Sequence, residues 1–262
     1  MLELNKIHCG DNCDLMMQLP RECVDLVVTS PPYDDLRTYG GHTWDFFGVA
    51  WNLKRVLKPG GVIVWVVADA TKDGSETGTS MEQAMHFKRL GLNLHDTMIY
   101  MKDTTQYPDA NRYGQIWEYV FVFSASLPKT RNLICDRKNV SYGRKVSGTN
   151  RQSDGTTKTA ACIGNFVKEV GMRFNVWQYA STKGNAETEH PAPFPERLAT
   201  DHIVTWSNPG DLVLDPFVGS GTTAKAAKTL GRKFIGLEIN PEYCAIAERR
   251  IAQEVLSFDE VA

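Results

Sequence analysis

At 262 residues, 42% hydrophobic and 23% charged, the chain has the make-up of a globular protein able to bury one large core, with room for a smaller appendage. No apolar run approaches the roughly twenty residues of a membrane span, and the start Met-Leu-Glu-Leu-Asn-Lys lacks a signal peptide's charged-then-apolar order, so a cytoplasmic protein is expected. A net charge of −2 would argue against a nucleic-acid partner if charge were spread evenly, but it is strongly segregated. The six cysteines form no Cys-x-x-Cys pair and have no clustered histidines, which predicts reduced, mostly packed thiols and no metal.

From the N-terminus, residues 6–10 read as a short strand ending at Asp11, and residues 12–19 as a short helix before Pro20. Residues 24–28, Val-Asp-Leu-Val-Val, have a buried-strand pattern that runs into Thr29-Ser30-Pro31-Pro32-Tyr33. Two consecutive prolines cannot donate to a ladder, so the strand must stop there, presenting rigid carbonyls and an aromatic ring. Residues 44–57 have helical spacing and end at the stop signal Lys58-Pro59-Gly60-Gly61, before a strand over 62–67. A helix over 81–90 and strands over 93–101 and 118–124 follow.

Between Ala125 and Asn185 the character changes. Eleven basic residues, among them Lys129, Arg131, Arg137, Lys138, Arg144, Lys145, Arg151 and Lys158, face three acids, a local charge of +8. Periodicity is poor and residues 141–159 are rich in Ser, Gly, Thr and Asn. A solvated surface loop would have this composition, but leaving the rest of the chain so acidic is the electrostatic footprint of a phosphate-binding insert. Beyond it, His190-Pro-Ala-Pro-Phe194-Pro195 leads into a helix over 196–206, and Asn208-Pro209-Gly210 turns the chain into Leu212-Val213-Leu214.

That strand opens Asp215-Pro216-Phe217-Val218-Gly219-Ser220-Gly221-Thr222-Thr223, followed by an alanine-rich helix. Two glycines allow a sharp turn and a close ligand approach, and the N–H groups at the helix start favour an anionic group such as a carboxylate. The next strand, residues 233–237, ends in Glu238, about twenty residues beyond the turn, where an acid can accept both hydroxyls of a ribose. The third glycine expected of nicotinamide-binding proteins is missing, which disfavours a dehydrogenase. A last amphipathic helix spans 241–256. Strands alternating with helices predict a mostly parallel sheet covered on both faces, whose ligands lie at the carboxyl ends of its strands, where Asp11, Ser30 to Tyr33, Asp215 to Gly221 and Glu238 all fall.

The Ser-Pro-Pro-Tyr stretch has a chemical reading. The exocyclic amino group of a nucleobase is a poor nucleophile because its lone pair is delocalised into the ring. A serine oxygen and a proline-locked carbonyl could accept its two hydrogens and draw the nitrogen toward tetrahedral geometry, with Tyr33 stacked on the extruded base. Positioning then supplies much of the rate, and no strong general base is needed.

At this point the chain resembles the amino-group DNA methyltransferases that use S-adenosylmethionine. Thr29 to Tyr33 is similar to their catalytic motif and Leu214 to Thr223 to their cofactor motif, in the order of the circularly permuted beta-type group; the segment over 190–198 is similar to that group's lead into the cofactor strand. The resemblance implies a Rossmann-like α/β fold with a seven-stranded, mostly parallel sheet and helices on both faces. It further implies a catalytic part over 1–124, a target recognition insert over 125–189 and a cofactor-binding part over 190–262. Asp215, Phe217, Gly219, Gly221, Thr222 and Thr223 would surround the methionine end of S-adenosyl-L-methionine, Glu238 its ribose and Asp11 its adenine amino group, with Thr29, Phe194, Pro216 and Ser220 in the same site. Ser30, Pro31, Pro32 and Tyr33 would handle the base.

Double-stranded DNA is the implied partner, and a cognate restriction endonuclease is one to look for. Serine before Pro-Pro-Tyr, with Pro-Ala-Pro-Phe-Pro at 191–195, is closest to the cytosine-N4 enzymes; adenine-N6 chemistry on the same scaffold is the alternative. A DNA-binding protein without activity would show a broken motif, and none is present. Methylation of RNA or of a protein amide is disfavoured by the long basic insert.

Overall fold

The computed structural model describes residues 2–34, 44–103, 111–159, 162–180 and 195–252. In chain order its elements are β1 (Lys6–Cys9), α1 (Asn12–Met17), β2 (Val24–Thr29), α2 (Phe46–Val56), β3 (Leu57–Val67), β4 (Thr71–Lys72), β5 (Ser75–Glu76), α3 (Thr79–Arg89), β6 (Asn93–Met101) and β7 (Trp117–Ser124). Then come β8 (Arg137–Lys138), β9 (Thr149–Arg151), β10 (Thr157–Thr159), β11 (Val170–Gly171), β12 (Val176–Gln178), α4 (Glu196–Trp206), β13 (Leu212–Asp215), α5 (Thr222–Thr229), β14 (Lys233–Glu238) and α6 (Pro241–Ala252).

Two compact units result, one formed by residues 1–132 and 175–262, the other by residues 133–174. In the larger unit one sheet runs β1-β14-β13-β2-β3-β7-β6-β12. All neighbouring pairs are parallel except those of β7, which is antiparallel to both β3 and β6. The sheet therefore carries eight strands rather than the seven expected. The addition is β12, a three-residue strand pairing with β6 through Trp177↔Tyr100; a strand this short leaves no alternation for the sequence to reveal, although Trp177 is buried.

Alternation along the central strands sorts their side chains onto two faces. Ile63, Trp65, Phe121, Phe123, Leu212, Leu214, Ile235 and Leu237 join Met16, Val49, Leu53 and Phe87 of α1 to α3 in one core. Their neighbours Val62, Val64, Val120, Val122, Val213 and Phe234 are equally buried. They serve the opposite face, where α4, α5 and α6 supply Leu198, Ile203, Ala227 and Ala247. Burial on both faces explains why these strands read as continuous apolar runs rather than alternating ones.

One boundary differs from the sequence reading. Leu57 to Gly61 is not a connection before β3 but its first part: Leu57 pairs with Val24, and the register then slips before Leu26↔Val62. Gly60 sits at φ +76, a left-handed conformation that an L side chain adopts only with strain, so the apparent stop signal is an irregularity inside the strand.

The smaller unit is an antiparallel ribbon. β8 pairs with β11, and Val146 N to Asn165 O and Val167 N to Arg144 O extend the pairing. The β9–β10 hairpin, closed by Gln152 N to Thr156 O and by Asp154 bonding Thr156, is exposed at every strand position. Arg173 pairs with Asp136, and Arg137 lies 4.2 Å over the Phe174 ring. Among the described residues no helix is long and apolar enough to cross a membrane.

Candidate active site

β13 and β2 are adjacent and parallel, so the ends of the two motif-bearing strands lie side by side. Thr29 Oγ1 donates to Asp215 Oδ1 at 2.6 Å, and Phe217 N–H donates to the same oxygen at 3.0 Å. Burial pushes the Asp215 carboxyl up to about 6; the bonds from Thr29, Phe217 and Thr223 pull it back, and the nearby Glu238 charge adds to the rise. Thr29 and Asp215 are both buried, so the bond between them is shielded from solvent.

The turn after β13 is built as its glycines require. Gly219 has φ +50 and Gly221, at the N-cap of α5, φ +88. A Cβ on Gly221 would stand 2.9 Å from Ala247 Cβ and 3.0 Å from its Cα, so the turn packs directly against α6. Thr222, Thr223 and Ser220 are buried, and Thr223 Oγ1 donates to Val28 O at 3.3 Å, a second tie between the strand ends. Pro216 O accepts from Asn12 Nδ2 at 3.2 Å.

Glu238, at the end of β14, accepts Gly219 N–H on Oε2 at 3.0 Å and Asn240 N–H on Oε1 at 2.9 Å. Its carboxylate is thereby fixed beside the glycine turn, and each carboxylate oxygen can accept more than one hydrogen bond. Asp11 follows β1, which pairs with β14. Its Oδ1 caps α1 by accepting the N–H groups of Cys13 at 2.8 Å and Asp14 at 3.1 Å, a structural duty not read from the sequence.

At the tip of β2, Ser30 Oγ lies 2.7 Å from Tyr33 Oη, which donates to Glu118 Oε2 at 2.9 Å. Glu118 Oε1 is 2.5 Å from Lys102 Nζ. Trp44 meets the Phe217 ring edge-on at 4.9 Å. Arg250 Nη1 donates to Ser220 O at 2.6 Å, Ser220 Oγ at 2.8 Å and Thr222 Oγ1 at 3.3 Å.

The structure thus brings together Thr29, Ser30, Tyr33, Asp215 to Thr223, Glu238 and Asp11 at the carboxyl edge of the sheet, with Pro31 and Pro32 between Ser30 and Tyr33. Phe194 lies outside the described residues. Lys129 and Arg131 belong to the larger unit, whereas Arg137, Lys138, Arg144, Lys145, Arg151 and Lys158 belong to the smaller one. Sequence reasoning missed Asn12, Trp44, Lys102, Glu118 and Arg250. None carries a local signal, since each reaches its partner only through the strand order or helix packing.

Comparison with known proteins identifies the family. A family model described as DNA methylase, covering N6 and N4 methyltransferases, matches residues 24–249. The chain belongs to this family. The methylase is 54% identical over 240 residues to an orphan methyltransferase, M.BamHII, of Bacillus amyloliquefaciens, across 89% of this chain and 90% of the relative. It is 28% identical to a DNA adenine methyltransferase of Escherichia coli K12, across 95% and 83%.

Among solved structures, the PvuII cytosine-N4-specific DNA methyltransferase superposes with a TM-score of 0.69 at 23% identity, covering 96% of this chain and 87% of that one; it shows the shared fold. A DNA modification methylase from Thermus thermophilus, complexed with S-adenosyl-L-methionine, gives a TM-score of 0.64 at 28% identity, covering 97% of both.

The methylase uses S-adenosylmethionine, which supplies a methyl electrophile when bound. The donor set fits such a group: a fixed carboxylate for vicinal hydroxyls, a second buried carboxyl, and a turn whose glycines keep side chains out of the way.

Proposed function

We propose that this DNA amino-methyltransferase transfers the methyl group to the exocyclic N4 of a cytosine flipped out of duplex DNA. The observation that carries the reading is Ser30 at the tip of β2, tied through its neighbour Thr29 to Asp215 of the cofactor strand. Ser30 Oγ and the Pro31 carbonyl accept the two amino hydrogens, turning the nitrogen lone pair toward the methyl group, and extrusion of the base supplies the access that a stacked base lacks. Asp215 and the 217–223 turn hold the methionine end of the cofactor, Glu238 the ribose hydroxyls, and Asp11 Oδ2 the adenine amino group. Arg137, Lys138, Arg144, Lys145, Arg151 and Lys158 of the smaller unit, with Lys129 and Arg131, bind DNA phosphates and so position the insert that reads the target site.

Adenine-N6 transfer is the second reading, favoured by the likeness to the E. coli adenine enzyme. Expression in a methylation-free host, followed by sequencing that distinguishes the two modified bases, tests the choice. Modified cytosine in a defined sequence context is the expected result, and modified adenine alone would replace the first reading by the second.

A further inference from the structure

Glu118 lies at the start of β7, which runs against both its neighbours, so its first residues sit at the edge of the sheet where the parallel strands end. Register puts Glu118 opposite Tyr100 on β6 and Tyr119 opposite Val67 at the end of β3. The Glu118 side chain is only 12% exposed, yet it is an acid paired with a base. Burying a carboxylate costs free energy that its pairing with Lys102 offsets. Hydrophobic residues would fill the same space without that cost.

The hydrogen bonds give this carboxylate a direction. A carboxylate paired with an ammonium group accepts and does not donate. The single phenolic hydrogen of Tyr33 is therefore committed to Glu118 Oε2 at 2.9 Å. Toward Ser30 Oγ, 2.7 Å away, Tyr33 Oη has only lone pairs to offer, so Ser30 must be the donor in that bond. With its one hydrogen aimed at Tyr33, Ser30 Oγ keeps its lone pairs for the substrate side. A serine hydroxyl without such a constraint can turn the other way, presenting hydrogen to an amino group that also presents hydrogen.

We propose that Glu118, braced by Lys102, is a positioning residue for methyl transfer that fixes the polarity of the chain Ser30 to Tyr33 to Glu118, so that Ser30 meets the target amino group as an acceptor. The inference rests on the reading of Ser30 as that acceptor. Glu118 acts through Tyr33 and touches neither base nor cofactor. It also gives Tyr33 a role beyond stacking: its hydroxyl transmits the orientation.

Glu118→Gln tests the idea with little change of shape. Lys102 holds the amide oxygen, the amide NH₂ then faces Tyr33, and the chain reverses, pointing the Ser30 hydrogen at the substrate. Native enzyme, Ser30→Ala, Glu118→Gln, Tyr33→Phe and the Tyr33→Phe/Glu118→Gln double variant are compared in single-turnover methyl transfer to duplex DNA. Calorimetric binding of S-adenosylmethionine and of DNA reports that each variant is folded.

The expected result is a rate loss of roughly 10- to 100-fold in Glu118→Gln, with both dissociation constants unchanged. The loss disappears when the same change is made in the Tyr33→Phe background, because the transmitting hydroxyl is gone. A Glu118→Gln rate within about threefold of native, or an equal loss in both backgrounds, overturns the relay while Ser30→Ala still reports on Ser30 itself. An undiminished rate in Ser30→Ala instead removes the reading on which the inference stands.

Discussion

Thr29 Oγ1 donates a 2.6 Å hydrogen bond to Asp215 Oδ1, joining two motifs that lie 186 residues apart in sequence. Both residues end parallel strands that are neighbours in the sheet, so the bond couples the end of β2 to the end of β13. Thr29→Val removes it with almost no change of volume and leaves a buried acceptor short of a donor, at a cost of about 1–3 kcal/mol. Thermal denaturation is expected to show the loss, and calorimetry a weaker affinity for S-adenosylmethionine. Thr29→Ser, which keeps the hydroxyl, stays close to native in both.

The raised carboxyl of Asp215 makes stability depend on pH in a definite direction. Between the ordinary aspartate value of 3.8 and about 6, the folded protein holds a proton that the unfolded chain has released. The stabilising contribution of this group is therefore fully present at low pH and is lost as pH rises through that window. Asp215→Asn cannot ionise. Urea unfolding across pH 4 to 7 is expected to show native stability falling relative to Asp215→Asn, and a difference that does not change with pH contradicts the assignment.

Gly221→Ala combines a left-handed backbone with a new methyl group 2.9 Å from Ala247. Overpacking of this kind costs about 1–3 kcal/mol, and the strain of the turn adds to it. A lowered melting temperature and weakened cofactor binding are expected together, since the turn and the α6 contact are one structure. Gly155→Ala, also at positive φ but with nothing within 4 Å, separates backbone strain from the packing term and leaves cofactor binding unchanged.

The basic insert predicts a salt signature. If Arg137, Lys138, Arg144 and Lys145 contact phosphates, the affinity for duplex DNA falls steeply with salt, and each neutralised contact lowers the log–log slope by roughly 0.9. Residues 147–163 can be replaced by a short turn without breaking the pairing of Val146 with Asn165. Filter binding on specific and unrelated duplexes is expected to show lost selectivity with cofactor affinity intact; retained selectivity would remove the recognition role from this segment.

Much of the fold is legible in the sequence because its central strands are buried on both faces and its turns carry glycine and proline at positions that demand them. Val24 to Val28, Tyr119 to Phe123 and Leu212 to Leu214 are such cases. Tertiary pairing decides the rest. Leu57 looks like a helix end until its pairing with Val24 is seen, and Trp177 sits in a strand too short to show a period. At the candidate site the motif residues announce themselves through local spacing. Glu118 is 85 residues from Tyr33, and Arg250 is 30 from Ser220; only the antiparallel course of β7 and the packing of α6 bring them in.

The target atom is the central claim, and nucleoside mass spectrometry of DNA methylated by the purified protein tests it most directly. Duplex DNA lacking prior modification is incubated with S-adenosylmethionine, digested to nucleosides and assayed for both products. N4-methylcytosine, absent when Ser30→Ala replaces the native protein over the same interval, is the predicted result. N6-methyladenine as the sole product would contradict it.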